Sequence, residues 1–334
     1  MRKICLFLMV LMVLVLVLSA GEGRAVPFYE GKTVTIIVGF GPGGGYDRLA
    51  RLLAKYLTRH IPGHPRIIVQ NMPGASTILA ANYLFNIAKP DGLTIGSIER
   101  GLPLAQLLKA PGIKFDLRKF AWISSMAIEA TVLGIRSDLP YKNFAEIKAA
   151  KSPLMLGITG PADQAAQFAT LLKEFTGVNL KMISYPSNAD IVLALERKEI
   201  DGFGGSYTSL KPYIERGLLR PIVRARLTEP GIETLPIDED LTESEIGRTL
   251  MAIRSAPCRI GRPYVAPPGT SPESLKVLRQ AFLNVTRDGA LQEEAKKMGM
   301  PISYTSSSEC LKVINYVLDQ PPEIVQIIGK YLKF

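Results

Sequence analysis

Gly39-Phe40-Gly41-Pro42-Gly43-Gly44-Gly45-Tyr46-Asp47 stands between a β-branched run, Thr33 to Val38 (TVTIIV), and an amphipathic stretch, Asp47 to Thr58. The run reads as a buried parallel strand that ends in the glycine cluster. In the stretch, Leu49, Leu52, Leu53, Tyr56 and Leu57 share one stripe, while Arg48, Arg51, Lys55 and Arg59 fall elsewhere, the pattern of a surface helix. A strand, a glycine loop and a helix in this order expose backbone N–H groups at a helix N-terminus, where the macrodipole favours negative charge. Glycine lets a ligand approach the backbone closely. The chemistry on offer is anion binding without a positively charged side chain.

Nucleotide chemistry fits less well. Gly39, Gly41 and Gly44 satisfy G-x-G-x-x-G, but that fingerprint wants an acidic residue roughly 20 positions on, at the end of the next strand. Here that strand ends Gln70-Asn71. A P-loop closes on Gly-Lys-Ser/Thr, whereas this loop closes on Gly45-Tyr46-Asp47, whose carboxylate repels a triphosphate. The plain alternative is a glycine turn in which Asp47 caps the helix. A branched side chain at Gly44 is expected to block the ligand and to force a conformation that only glycine tolerates.

Outward from the loop, Arg66 to Gln70 reads as a strand, Ser76 to Ala88 as a helix and Leu93 to Ile98 as a strand. That β-α-β-α-β order marks an open α/β sheet. The character changes near Trp122. Trp122 to Met126 and Thr131 to Ile135 are strand-like, Asn143 to Lys151 is helical, and strand Leu154 to Ile158 runs into Thr159-Gly160-Pro161. Helix Asp163 to Thr176, strand Leu180 to Tyr185, helix Ala189 to Lys198 and strand Gly202 to Tyr207 complete a second unit. Thr228 to Glu245 reads as an exposed excursion. From Arg262 (RPYVAPPGTSPESL) come a strand, a turn and a helix, and the terminal helices are expected to pack back on the first unit. The expected organisation is a discontinuous first lobe, 26–125 plus 256–334, and a second lobe, 126–255. Strands near Trp122 to Met126 and Ala252 to Pro257 join them.

Composition narrows the function. The 334 residues, 47% hydrophobic and 21% charged, suffice for two domains with a core each. The two histidines, His60 and His64, leave no cluster for a metal and no good partner for a nucleophile–His triad. No metal and no cofactor are expected. Arg2 and Lys3 precede an apolar run, Ile4 to Leu18, and then Ser19-Ala20-Gly21, the layout of a secretory signal peptide over residues 1–25. The run falls short of the roughly 18–20 residues that a spanning helix needs. Losing Arg2, Lys3, Glu22 and Arg24 with the leader lowers the net charge from +10 to +8. That charge is dispersed, and export argues against a nucleic-acid partner. Cys258 and Cys310 remain, permitting a disulfide that geometry decides.

Two more loops sit where open α/β sheets bind ligands, beyond the carboxyl ends of strands. They are Asn71 to Thr77 (NMPGAST) and Thr159 to Asp163 (TGPAD). Facing each other, such loops clamp a small carboxylate. The candidate ligand-binding residues are Phe40, Gly41, Gly43, Gly44, Gly45, Tyr46 and Asp47, then Ala75, Ser76 and Thr77, then Thr159, Gly160, Pro161, Ala162 and Asp163. Arg100, after the third strand, is able to fork onto a ligand carboxylate or to pair with Glu99 or Glu129. Gly205 and Tyr207 are further candidates for the cleft, with a core role equally open for Tyr207. Trp122, the sole tryptophan, reads as core or hinge packing.

VGFGPGGGYDRLARLLAKYL, VQNMPGAS and KPDGLTIG together resemble the N-terminal lobe of the substrate-binding proteins of tripartite tricarboxylate transporters, the Bug-type receptors. The matching motifs are Pro42 to Asp47, Asn71 to Ala75 and Pro90 to Gly92, joined later by Ala189 to Gly202 and Arg262 to Gly269. The resemblance spans nearly the whole chain after the leader. It implies an α/β, type II-like Venus flytrap in the periplasm, each lobe a mixed sheet flanked by helices. It also implies a small organic acid as ligand, held by backbone N–H groups and ordered waters, and membrane permease subunits as partners. Ser76-Thr77 departs from the Gly-Gly of many members, and TGPAD lacks their Ser-rich loop.

The expected function is therefore non-catalytic capture of a small carboxylate by hinge closure, by a monomer. One alternative is an exported sensor subunit for a membrane kinase. A second is an exported α/β hydrolase, which the absence of G-x-S-x-G and of a His partner disfavours.

Overall fold

The computed structural model describes residues 27–334; the expected leader, 1–25, lies outside the described residues. In chain order the strands are β1 (Thr33–Val38), β2 (Arg66–Asn71), β3 (Thr94–Ser97), β4 (Ala121–Ser125), β5 (Thr131–Arg136), β6 (Leu154–Ile158), β7 (Leu180–Ser184), β8 (Gly202–Ser206), β9 (Leu219–Arg224), β10 (Pro263–Ala266) and β11 (Thr305–Ser306). The α-helices are α1 (Gly45–Leu57), α2 (Ile78–Asn86), α3 (Leu102–Leu107), α4 (Phe144–Lys148), α5 (Gln164–Thr176), α6 (Asn188–Glu196), α7 (Tyr207–Glu215), α8 (Glu245–Ser255), α9 (Pro272–Val285), α10 (Gly289–Lys297), α11 (Ser307–Leu318) and α12 (Pro322–Tyr331).

Two sheets result, ordered β11-β4-β10-β3-β1-β2 and β7-β6-β8-β5-β9. Both are mixed. β1 pairs in parallel with β2 and β3, while β10 runs antiparallel to β3 and β4. β6 pairs in parallel with β7 and β8, while β5 runs antiparallel to β8 and β9. The fold is thus the α/β, two-lobed arrangement expected from the alternating elements.

Alternation along β1 shows why it is an interior strand of its sheet. Val34, Ile36 and Val38 pack with the α1 stripe and with Leu278, Phe282 and Val285 of α9. Ile37 turns to the other face, among Leu84, Trp122 and Ile314. A strand buried on both faces is the mark of a sheet covered by helices on each side. Trp122 is core, its indole N–H donating to the Leu117 carbonyl at 2.7 Å.

The chain passes between the sheets twice, and the two passages are hydrogen-bonded to each other. Met126 N–H donates to Arg262 O and Glu129 N–H to Cys258 O, each at 3.0 Å. The second passage is not the strand expected at Ala252 to Pro257. Ser244 accepts a hydrogen bond from Gly247 N–H and starts α8, which runs to Ser255 and gives way to a 3₁₀ turn over Ala256–Ile260. The Ser cap and the buried stripe of Leu250, Met251 and Ile253 explain the helix.

Three further expectations need correcting. The segment 228–245 is no mere surface excursion. Ile232, Asp238, Glu239 and Thr242 are buried, and Asp238 forms a buried ion pair with Arg254. α7 and β9 were not anticipated, because Tyr207 reads as a strand end, whereas it opens a helix. The last helix also reaches beyond the first sheet. Ile328 of α12 and Leu332 share a cluster with Leu171, Leu250 and Met251. Cys258 and Cys310 are both buried and free. Among the described residues, no helix is long and apolar enough to cross a membrane.

Candidate functional site

The glycine loop borders a partly open cavity of about 70 Å³ between the two sheets. Gly43, Gly44, Gly45 and Tyr46 form one wall, and because α1 begins at Gly45, the first-turn N–H groups that a helix leaves unpaired border the space. Phe40 stacks against Tyr46, ring centroids 4.7 Å apart. From the other lobe come Asp163 and Gln164 at the start of α5, and Gly205 and Ser206 at the end of β8. Glu99, Arg100 and Arg262 close it from the first lobe.

Arg100 is buried and bridges the lobes. Its Nη1 donates to Ser206 Oγ at 2.7 Å, and its Nη2 to Thr131 Oγ1 at 3.2 Å and Gln164 Oε1 at 3.3 Å. It forms no ion pair with Glu99 or Glu129. Glu129 is taken by Arg262, at 2.8 Å, with both side chains buried. The Arg262 guanidinium also lies over the Tyr46 ring, 4.3 Å from its centroid. Burial pushes the Glu99 carboxyl above its ordinary range, although the nearby Arg100 charge pulls the other way. Burial likewise pushes the Tyr46 hydroxyl up.

Of the expected site residues, Phe40, Gly43, Gly44, Gly45, Tyr46, Arg100, Asp163 and Gly205 lie on the cavity wall. The others have different surroundings. Asp47 organises the loop: it accepts Gly43 N–H at 2.8 Å, Arg51 Nε at 2.9 Å and Asn71 Nδ2 at 2.9 Å. These bonds outweigh its burial and hold its carboxyl below the usual range. Gly41 faces Ser187. Ala75, Ser76 and Thr77 form a left-handed turn with φ of 46°, 49° and 71°. Ser76 meets Gly160 across the lobes, and Thr77 fills the space beside Gly39. Thr159 binds Asp163, Pro161 is exposed, and Ala162 is buried in the first lobe's second core. Tyr207 is a core tyrosine beside Phe203 and Leu210.

The loops consume some of the N–H groups that were expected to hold an anion. Asp47 takes that of Gly43, and Asp163 takes those of Thr159 at 3.3 Å and Ala165 at 2.9 Å. Nor does Gly44 have a special backbone: its φ is −72°, and a Cβ there makes only ordinary contacts, with Asn188 Nδ2 at 3.5 Å and the Gly41 carbonyl at 3.9 Å. Gln164, Ser206 and Arg262 were not singled out. The signal available was position: Gln164 follows Asp163, Ser206 stands between Gly205 and Tyr207, and Arg262 opens the motif Arg262 to Gly269. Two wider grooves lie elsewhere, one beside Lys211, Glu229 and Met300, the other beside Arg226, Arg259 and Tyr316.

A family model described as the tripartite tricarboxylate transporter family receptor (TctC) matches residues 49–330. A UPF0065 protein of Bordetella pertussis is 28% identical over 94% of this chain and 94% of its own length. Among solved structures, periplasmic binding protein BugD superposes with a TM-score of 0.75 at 22% identity, covering 92% of this chain and 100% of that one. MatC from Rhodopseudomonas palustris with bound malate superposes with a TM-score of 0.74 at 19% identity, covering 88% and 99%. At these identities the two structures establish a common fold.

Proposed function

This chain belongs to the tripartite tricarboxylate transporter receptor family, and from that premise we propose that it captures a small organic carboxylate between its lobes and delivers it to the membrane permease subunits of such a transporter. The observation that carries the reading is the cavity between the lobes, which borders both the first turn of α1 and the buried Arg100 guanidinium. A fold relative that holds malate supports the ligand class. In this reading the leader sends the chain to the periplasm, residues 26–125 plus 256–334 act as one lobe, and residues 126–255 act as the other. Phe40, Gly43, Gly44, Gly45, Tyr46, Arg100, Asp163 and Gly205 surround the ligand. A ligand touching both lobes favours the closed form by its differential affinity.

Thermal-shift screening of the mature chain against mono-, di- and tricarboxylates tests the ligand class. A ligand at 100 times its Kd stabilises by about 2.7 kcal/mol. Small-angle scattering should then give a smaller radius of gyration with that ligand. A panel in which no carboxylate raises the Tm sinks the reading.

A further inference from the structure

The cavity wall carries a definite charge balance, which, given the receptor reading above, bears on the ligand's own charge. Arg100 is buried, its three hydrogen bonds all go to neutral acceptors, and its Nε–H has no partner. A cation buried in this way is costly unless an anion meets it. The Arg262 guanidinium is already matched by Glu129. Arg48 is half-buried and donates to the Met298 carbonyl at 2.8 Å. Against Arg48 and Arg100 stand two carboxyls on the same wall, Asp163 and Glu99. Asp163 accepts from Thr159 Oγ1 and from the N–H groups of Thr159 and Ala165, and so brings a negative charge. Glu99 is buried, which favours its neutral form.

With Glu99 neutral, one positive charge is left uncompensated; with Glu99 ionised, none is. Neither balance accommodates two further negative charges. The space is also small. At about 70 Å³ it has room for a short carboxylic acid. We propose that the cavity selects compact monocarboxylates over dicarboxylates of the same carbon number, with Arg100 taking the ligand carboxylate.

Calorimetry on the mature chain with propionate against malonate, and butyrate against succinate, tests this directly. The monocarboxylate of each pair should bind at least about tenfold more tightly. Arg100→Gln should weaken propionate by about 10- to 150-fold, the loss of a charge-assisted hydrogen bond. A preference below about tenfold, or a reversed one, overturns the selection while the receptor reading stands. A folded Arg100→Gln that loses less than about tenfold removes Arg100 from the role. Should that variant fail to fold, the wild-type pairs still decide the charge preference, and Arg100→Lys, which keeps the charge without the fork, reports on the residue. If no carboxylate of any class binds, both this inference and the reading beneath it fall.

Discussion

Gly45 lies directly beneath Arg262: a Cβ at Gly45 would stand 2.5 Å from Arg262 Nη2 and would also collide with Ser209 Oγ. Arg262 in turn is fixed by Glu129, Thr208 and Ser209, so it has little room to yield. Gly45→Ala should therefore cost about 1–3 kcal/mol by overpacking. Gly44→Ala, one residue earlier, should stay within about 0.5 kcal/mol. Urea melts of both variants check this; equal losses would mean that the loop, and not this contact, needs the glycine.

The Arg262–Glu129 pair is buried on both sides and links the wall of the cavity to the first passage between the lobes. Removing one partner leaves an unmatched charge in the interior, so Arg262→Met alone should cost about 3–5 kcal/mol. Adding Glu129→Gln should recover part of the loss, because the orphaned charge goes with it. A double variant no more stable than the single one would show that packing on Tyr46, and not the charge, is what Arg262 supplies.

Glu229 accepts the Ala130 N–H at 2.6 Å, and burial, helped by the neighbouring Glu129 charge, pushes its carboxyl from 4.5 up to about 7. A folded-state value above the unfolded one means that the folded chain holds more protons between those values. Stability from this group is therefore lost as pH rises from about 4.5 to about 7. Glu229→Gln keeps an acceptor for Ala130 without the charge. It should raise stability at pH 8 by roughly 1–2 kcal/mol, discounted for the partial exposure of the group, and should flatten the pH slope. Melts of both proteins between pH 4.5 and 8 read this out, and parallel curves would exclude Glu229 as the source.

What was legible in the sequence follows from how local the signals are. β1, the glycine loop and α1 could be read because a β-branched run, a glycine cluster and a 3.6-residue stripe each act within a few residues. The return passage could not. Although the Ser244 cap of α8 is itself local, the burial of Asp238 depends on Arg254, a partner 16 residues away. The site divides in the same way. The glycine wall is a local motif, but the surroundings of Arg100 come from Thr131, Gln164 and Ser206, which only the fold brings to it. Spacing alone also could not tell that Asp47 and Asp163 would take up the N–H groups of their own loops.

The turn Ala75-Ser76-Thr77 holds three successive non-glycine residues at positive φ, a conformation that costs L-residues about 1–2 kcal/mol each. The two hydroxyls in it differ. Thr77 Oγ1 accepts the Glu99 N–H at 3.0 Å, next to Arg100, so the turn helps to fix the segment that carries the guanidinium. Ser76 Oγ is buried without a partner. Ser76→Gly should thus relieve backbone strain and remove an unsatisfied hydroxyl, a gain of about 0.5–1 kcal/mol after the extra freedom of glycine in the unfolded chain is subtracted. Thr77→Gly relieves the same strain but gives up the bond to Glu99 and the packing beside Gly39, and should come out destabilising by about 1 kcal/mol or more. The sign of the difference between the two variants, measured by chemical denaturation, is the test. If Ser76→Gly destabilises as much as Thr77→Gly, the serine hydroxyl is supporting the contact with Gly160 across the lobes, and the strain is compensated there.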